Sequence, residues 1–305
     1  MVTATTPRSL GFLLSPAIFN RLEQVDREPY FLFPMNPLKS MKRLVVNTPI
    51  EPVARRIHAF ARRIHAFVED KLLRANCYPL VRNHLSGKCG LEIGGPSHLF
   101  ETKLPIYRHI RSLDNCVFAE ATHWEGTRGP GATFHFDHGR RIGNNFITEG
   151  STLEGIGSAK YDFVLSSHNL EHIANPIKAL LNWKRALKPN GFLLLVLPDK
   201  YRTFDYLRPL TTLEHMRDDY ARNMGEDDMT HVEEFVTLWD YEKFPIANSI
   251  AEHRERYRNN YQQRLLHHHV FDLTSAISFV TNCGWQVLAA ERARPYHLIL
   301  FLQRS

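Results

Sequence analysis

Two groups of residues in this 305-residue chain have types and spacings that could do chemistry. The first lies in CGLEIGGPS. Leu91-Glu92-Ile93 is a short apolar run carrying one acid, Gly94-Gly95-Pro96 breaks it, and Asp114 closes a second run, His109–Leu113. A buried strand, a glycine turn, a helix and a second strand ending in an acid build a nucleoside site in an α/β sheet. Glycine lets the backbone approach the ligand, and the acid accepts ribose hydroxyls. A purely structural turn after a strand would read the same way in isolation.

The second group is histidine-rich. His168, Glu171 and His172 have i, i+3, i+4 spacing and share a face if the segment is helical. Three roles are open to them: proton transfer, metal binding, or local hydrogen bonding while Leu170 and Ile173 pack inward. Imidazole suits zinc, iron or nickel better than magnesium. His267-His268-His269 precedes the last helix, and consecutive residues cannot all face one metal unless the backbone is irregular. One of them is a candidate for acceptor binding or proton removal; otherwise they divide between solvent, capping and packing. Asp199, after the run Phe192–Leu197, is a further candidate. Gly225-Glu226-Asp227-Asp228 reads as a solvated acidic loop, or as an attractor for a cationic acceptor.

The elements that must position these groups alternate. Strands read at Gly90–Ile93, His109–Leu113, Tyr161–Ser166 and Phe192–Leu197, with a helix over Pro176–Leu187 and a Lys188-Pro189-Asn190-Gly191 turn. Such alternation indicates a mostly parallel sheet covered on both faces. Residues 115–158 are poorly patterned and their strand cannot be placed. Residues 199–270 form a long polar insertion carrying six histidines. Asp272 then caps a helix through Asn282, Gly284 ends it, and Trp285–Ala290 with His297–Gln303 forms a terminal hairpin. Ahead of all this, residues 1–50 hold six of the seventeen prolines. A helix follows from Pro52 to about Ala75 with the repeat ARRIHAF at 54–60 and 61–67. Its apolar stripe and flanking arginines suit packing on the main domain, or else a partner or an anionic membrane surface.

The totals narrow the function. With 43% hydrophobic and 23% charged residues the chain is globular. The net charge of +6 comes from residues 1–74, with twelve basic against six acidic side chains; residues 75–305 hold twenty-six of each. Nucleic acid is therefore not expected as the substrate of the main domain. Cys77, Cys89, Cys116 and Cys283 form no CxxC pair and read as reduced thiols of a cytoplasmic protein.

The order of these pieces resembles a class I S-adenosylmethionine-dependent methyltransferase of the type 11 methyltransferase domain family. The most specific stretch is YDFVLSSHNLEHIANPIKALLNWKRALKPNGFLLLVLPDK, residues 161–200, similar to the family's fourth strand, helix and fifth strand. LEIGGPS resembles its acid-x-Gly-x-Gly motif, departing from it with Pro96 and His98; KPNG replaces KPGG. The resemblance covers roughly 75–200 and 271–305. It implies a doubly wound, mostly parallel, seven-stranded Rossmann-like sheet over 76–305, with an N-terminal extension over 1–75 and 199–270 inserted after the fifth strand.

The resemblance also implies roles. Gly94 and Gly95 would lie under the methionine part of S-adenosylmethionine, with Glu92 orienting the loop or reaching the amino group through water. Asp114 would hold the ribose, and Asn115 would line the adenine. Glu149 in ITEGSTLEGI would hold adenine N6, with Asp137 in FHFDHG as the alternative. Ser166 and Ser167 end the fourth strand, facing the cofactor or merely capping it. Some methyltransferases of similar pattern bind magnesium through E-x-x-E-H at the place of His168, Glu171 and His172. The expected activity is O- or N-methylation of a small-molecule or glycan-type acceptor, with the insertion shaping its pocket. The competing expectation is a non-catalytic scaffold that binds a partner or membrane surface through the N-terminal helix. A nicotinamide oxidoreductase is disfavoured, because GxGxxG is absent.

Overall fold

The structure is a computed structural model, and it describes residues 74–305 apart from 123–125 and 248. The ARRIHAF repeat and the extension before it lie outside the described residues. Helix α1 (Tyr78–Leu85) leads into β1 (Cys89–Ile93), whose last four residues are buried. Then follow β2 (Ser112–Val117), a small ribbon of β3 (Ala121–Thr122) and β4 (Gly126–Thr127), β5 (Gly131–Phe136), β6 (Arg141–Ile147) and β7 (Tyr161–Ser167). Helix α2 (Pro176–Ala186) connects β7 to β8 (Leu187–Pro198), and α7 (Leu273–Asn282) precedes the hairpin β9 (Trp285–Ala293) and β10 (His297–Arg304).

The main sheet has the order β5-β6-β2-β1-β7-β8-β10-β9. β6, β2, β1, β7 and β8 run parallel, while β10 is antiparallel between β8 and β9. This is the doubly wound sheet expected, with one strand more than the seven anticipated. The addition is β5, antiparallel to β6 at the edge, in the stretch whose patterning was unreadable. Its burial alternates only over its last three residues, so no strand period shows in the sequence. β2 and β7 flank β1 on opposite sides, so the chain order reverses there. The C-terminal ends of β1 and β7 are where such sheets open a ligand crevice.

Two expected elements change. No helix follows the glycine turn. Residues 98–100 make a single 3₁₀ turn, because Pro96 and Pro105 bracket the segment and neither supplies an N–H to a helical ladder. The second strand starts at Ser112, not His109, and continues to Val117. Elsewhere the signals act as read. Asn175 caps α2 by accepting the Lys178 N–H, Asp272 and Ser275 form a reciprocal capping box on α7, and Gly284 leaves α7 at φ +75°. The KPNG turn becomes an irregularity inside β8, with Asn190 at φ +59°.

Between β8 and α7 the insertion folds as short helices: α3 (Leu213–Ala221), α4 (Val232–Thr237), α5 (Ile250–Arg256) and α6 (Asn260–Gln263). It has its own apolar cluster of Val232, Phe235, Val236, Trp239, Tyr257 and Leu266. All four cysteines are free, and among the described residues no helix is long and apolar enough to cross a membrane.

β1 and β7 approach closely because Gly90 faces Phe163. A Cβ on Gly90 would stand 2.0 Å from the Phe163 ring. Gly90→Ala is expected to cost about 1–3 kcal/mol by overpacking. Phe163→Leu should recover part of that loss in the double variant, read as a coupling in urea denaturation; additive losses would contradict the contact.

Candidate active site

The glycine turn is built from inside. Glu92 is buried on β1, and its carboxylate accepts the Ser97 N–H at 3.0 Å and the Tyr107 hydroxyl at 2.7 and 2.9 Å. A Cβ on Gly95 would meet the Glu92 carboxyl carbon at 2.2 Å, so only glycine passes there. Gly94 has φ +69°, and its N–H donates to the Cys116 carbonyl. Asn115, fully buried on β2, accepts the Gly95 N–H at 2.9 Å and donates to Asn145 Oδ1 at 2.8 Å. Its amide therefore holds the loop instead of lining a base pocket.

Asp114 is not at a strand end. It pairs in register with Leu91, three residues before β2 finishes, and accepts from the Tyr161 hydroxyl at 2.8 Å and the Asn144 N–H at 3.2 Å. The strand runs three residues past Asp114, and the first acid beyond it is Glu120, which is exposed. Glu149 follows β6 directly, at the same edge of the sheet as Gly94. Asp137 lies in the β5–β6 turn at the opposite edge. The Glu149 carboxylate is held by Arg264, with contacts of 2.7 and 3.2 Å, and Arg264 also reaches Glu226 at 3.0 Å and lies over the Phe118 ring. Beside them opens a cleft of about 490 Å³ lined by Glu149, Thr152, Lys178, Glu226, Asp227 and Tyr261. The acidic loop is thus not wholly solvated: Glu226 and Asp228 are buried, and Asp227 is exposed.

At the end of β7, Ser166 lies level with Ile93 and is buried, while Ser167 is half-buried. Ser166 Oγ and Asn169 Oδ1 complete no hydrogen bond. Asn169 also crosses over the turn, since a Cβ on Gly94 would stand 2.8 Å from its Nδ2. Orphaned buried oxygens beside a left-handed glycine fit a polar ligand in this crevice. Sequence reading passed over Asn169, which stands in SSHNLEH with only its neighbours drawing attention.

The histidines separate by environment. Residues 168–172 are not helical: His168 has φ +50° and only Leu170–His172 makes a 3₁₀ turn. His168 Nε2 lies 2.8 Å from His297 Nδ1, and its Nδ1 stands 3.5 Å from Glu171 Oε1, which completes no hydrogen bond but is close enough for charge to act. His172 donates Nδ1–H to the Leu266 carbonyl at 3.0 Å. Burial, then the nearby His267, lowers the His172 pKa to about 4, so it is neutral. Burial pushes Glu171 up, but the imidazoles around it outweigh this and hold it below the usual carboxylate range.

His267 joins this group from the insertion. Its Nδ1 lies 2.6 Å from Asp205 Oδ2, and ligand-capable atoms of Glu171, His172 and His267 lie within 4.8 Å of one another. These three could hold a divalent cation or move a proton. Asp205 is secured in turn by Arg208 at 2.8 Å. His268 and His269 face elsewhere: His268 Nδ1 stands 3.5 Å from Asp228, and His269 Nε2 contacts the Ala174 carbonyl at 3.3 Å. Asp199 is also drawn off. It caps the turn at Tyr201 and lies 3.4 Å from Arg292 and 3.8 Å from Arg202, which commits its carboxylate to structure.

A family model described as a methyltransferase domain matches residues 60–290, well over half of the chain. The chain belongs to the class I S-adenosylmethionine-dependent methyltransferases. A search of curated proteins finds no match. Among solved structures, the methyltransferase is similar to a SAM-dependent methyltransferase from Aquifex aeolicus at 9% identity. That pair covers 81% of this chain and 98% of the other, with TM-score 0.41. It is also similar to the 1,6-didemethyltoxoflavin-N1-methyltransferase of Burkholderia thailandensis, solved with S-adenosylhomocysteine, at 12% identity, 86% and 92% coverage and TM-score 0.42. A Mesorhizobium loti enzyme of the same class gives 12% identity, 75% and 98% coverage and TM-score 0.43.

Asp205 sets a pH dependence in this methyltransferase. Burial alone would raise its pKa, but His267 and then Arg208 outweigh it, so the folded value lies below the ordinary one. The stabilisation it contributes is complete above the unfolded value of about 3.9 and is lost as pH falls through the lower folded value. Asp205→Asn lacks it. The urea-midpoint gap between wild type and Asp205→Asn should therefore narrow from about pH 5 to about pH 3. A gap independent of pH would show that the carboxylate does not ionise with this partner.

Proposed function

We propose that this methyltransferase acts on a hydroxyl or amine of a small-molecule or glycan-type acceptor, with His267 accepting the proton. The observation that carries the reading is the Asp205–His267 pair at the edge of the sheet beside Glu171. Asp205 takes the Nδ1–H, which leaves Nε2 as the nitrogen free to accept a proton. S-adenosylmethionine, when bound, supplies an electrophilic methyl group on a sulfonium. What the chain adds is alignment of the acceptor, exclusion of water and a place for the proton.

Gly94, Gly95, Ser166 and Asn169 would hold the methionine end, with Glu92 and Asn115 fixing the loop. Glu149 is favoured over Asp137 for the adenine because it follows β6 at the crevice edge. Glu120, the first acid beyond β2, replaces Asp114 as the proposed ribose partner. His168 and His172 line the acceptor side, and Ser167 closes the strand end. The even charge balance of residues 75–305 favours a small or neutral acceptor over nucleic acid.

Labelled-methyl transfer across hydroxyl, amine and carboxylate acceptors tests the activity, and calorimetric titration with S-adenosylmethionine tests the cofactor site. No binding below millimolar would favour a non-catalytic scaffold. Glu120→Ala should lose about 1.5–3 kcal/mol of cofactor affinity, while Asp114→Ala should leave it nearly unchanged. The reverse result would restore Asp114 to the site. His267→Ala should lower turnover by about 10²–10⁴-fold with cofactor affinity preserved. Turnover abolished by chelator and restored by divalent ion would instead assign Glu171, His172 and His267 to a catalytic metal.

A further inference from the structure

A second cluster lies within the insertion and where it returns to the core, and methyl transfer makes no use of it. α3 carries His215 and Asp219 one turn apart. Asp228 and His231 stand three residues apart before α4, and His268 and His269 come from the returning segment. Ligand-capable atoms of His215, Asp219 and His269 lie within 4.8 Å of one another, as do those of Asp228, His231 and His268. His215 Nε2 and His231 Nε2, 3.2 Å apart, join the two triads into one group of four imidazoles and two carboxylates.

We propose that this group binds a divalent transition-metal ion of the zinc class, which clasps α3 and the Asp228–His231 turn to the insertion's returning segment. The spacings agree with coordination. His215 Nε2 lies 3.2 Å from His231 Nε2 and 3.3 Å from Asp219 Oδ2. Ligand bonds of about 2.0–2.1 Å in tetrahedral geometry place neighbouring donors about 3.3 Å apart.

The outer contacts also point the lone pairs inward. His269 gives its Nε2–H to the Ala174 carbonyl, so the bare lone pair is on Nδ1, which completes no hydrogen bond in a fully buried side chain. Arg222 lies 3.5 Å from Asp219 Oδ1, while buried Oδ2 completes no hydrogen bond. Thr230 holds Asp228 through its N–H at 3.0 Å and its hydroxyl at 2.9 Å. His268 is 1% exposed, and neither of its ring nitrogens completes a hydrogen bond. Buried donor atoms left open in two adjoining triads, with those of His269 and Asp219 oriented by outer partners, form the pattern of a metal centre. Imidazole and carboxylate donors suit zinc, iron or manganese better than calcium. His215, 37% exposed, marks the way in.

The test uses the full chain without a histidine tag, stripped with chelator and titrated with Zn²⁺ by calorimetry and with Co²⁺ by visible absorption. Roughly one equivalent should bind at micromolar concentration or tighter, raise the thermal midpoint, and give the Co²⁺ band of a four- or five-coordinate nitrogen–oxygen site. His215→Ala, which alters a surface-facing residue, and Asp228→Asn should each weaken binding by more than about tenfold. Glu171→Gln, in the neighbouring group, should leave binding unchanged. Absence of binding by the wild-type chain would overturn the proposal. So would loss of binding in Glu171→Gln with retention in His215→Ala, because the ion would then belong to the methyl-transfer site.

Discussion

A buried carboxylate organises the glycine turn of this protein. Removing a charged group from water is costly unless hydrogen bonds replace the lost solvation, and Glu92 meets that requirement through the Ser97 N–H and the Tyr107 hydroxyl. Those contacts draw the chain after β1 back over the carboxyl group so tightly that a Cβ at Gly95 would overlap it. Asn115 then takes the Gly95 N–H from the other side and is itself oriented by Asn145. The loop needs no helix behind it, because its backbone donors are claimed by the Glu92 and Asn115 side chains and the Cys116 carbonyl. A proline-interrupted connection can therefore serve where the doubly wound pattern usually places a helix.

The histidine-rich end beside β7 is organised by the insertion. Its short helices enclose one aromatic cluster, which gives it a core of its own. Several of its polar residues are buried, among them Asp205, Arg208, Asp219 and Asp228. Arg208, almost wholly buried, links Asp205 and Glu234 and donates to the His267 carbonyl, so one guanidinium fixes both members of the Asp205–His267 pair. The returning backbone is tied to the β7 side by the N–H groups of His268 and His269, both directed at the Glu171 carbonyl. This splits three consecutive histidines between two environments: His267 beside Glu171 and His172, and the next two toward α3 and the Asp228 turn.

Arg264 joins the two ends. It takes a left-handed conformation at the close of α6, spans Glu149 and Glu226, and lies over Phe118 and Tyr261. Two carboxylates and two aromatic rings around one guanidinium place the insertion against the loops after β2 and β6. These are the loops that bound the nucleoside side of the crevice in sheets of this class. Arg264 thereby links the loops after β2 and β6 to the insertion through a few polar and ring contacts.

Local signals in the sequence determined the parallel core. Apolar runs as short as Leu91–Ile93 and Phe192–Leu197 can be satisfied only in a sheet covered on both faces, and the caps at Asn175 and Asp272 set where helices begin. The glycine turn and the block over residues 161–200 carried the family resemblance. What they could not convey was where β2 ends, because Leu113-Asp114-Asn115-Cys116 mixes buried polar and apolar side chains, and polar residues satisfied by tertiary partners look like a strand end. β5 was hidden for a similar reason, as an edge strand buries little and needs no strict alternation. The roles of the histidines were decided only by the tertiary structure. Their chemistry depends on which ring nitrogen each neighbour occupies, and those neighbours, Asp205, Leu266, Ala174 and Asp228, stand from 40 to 95 positions away along the chain.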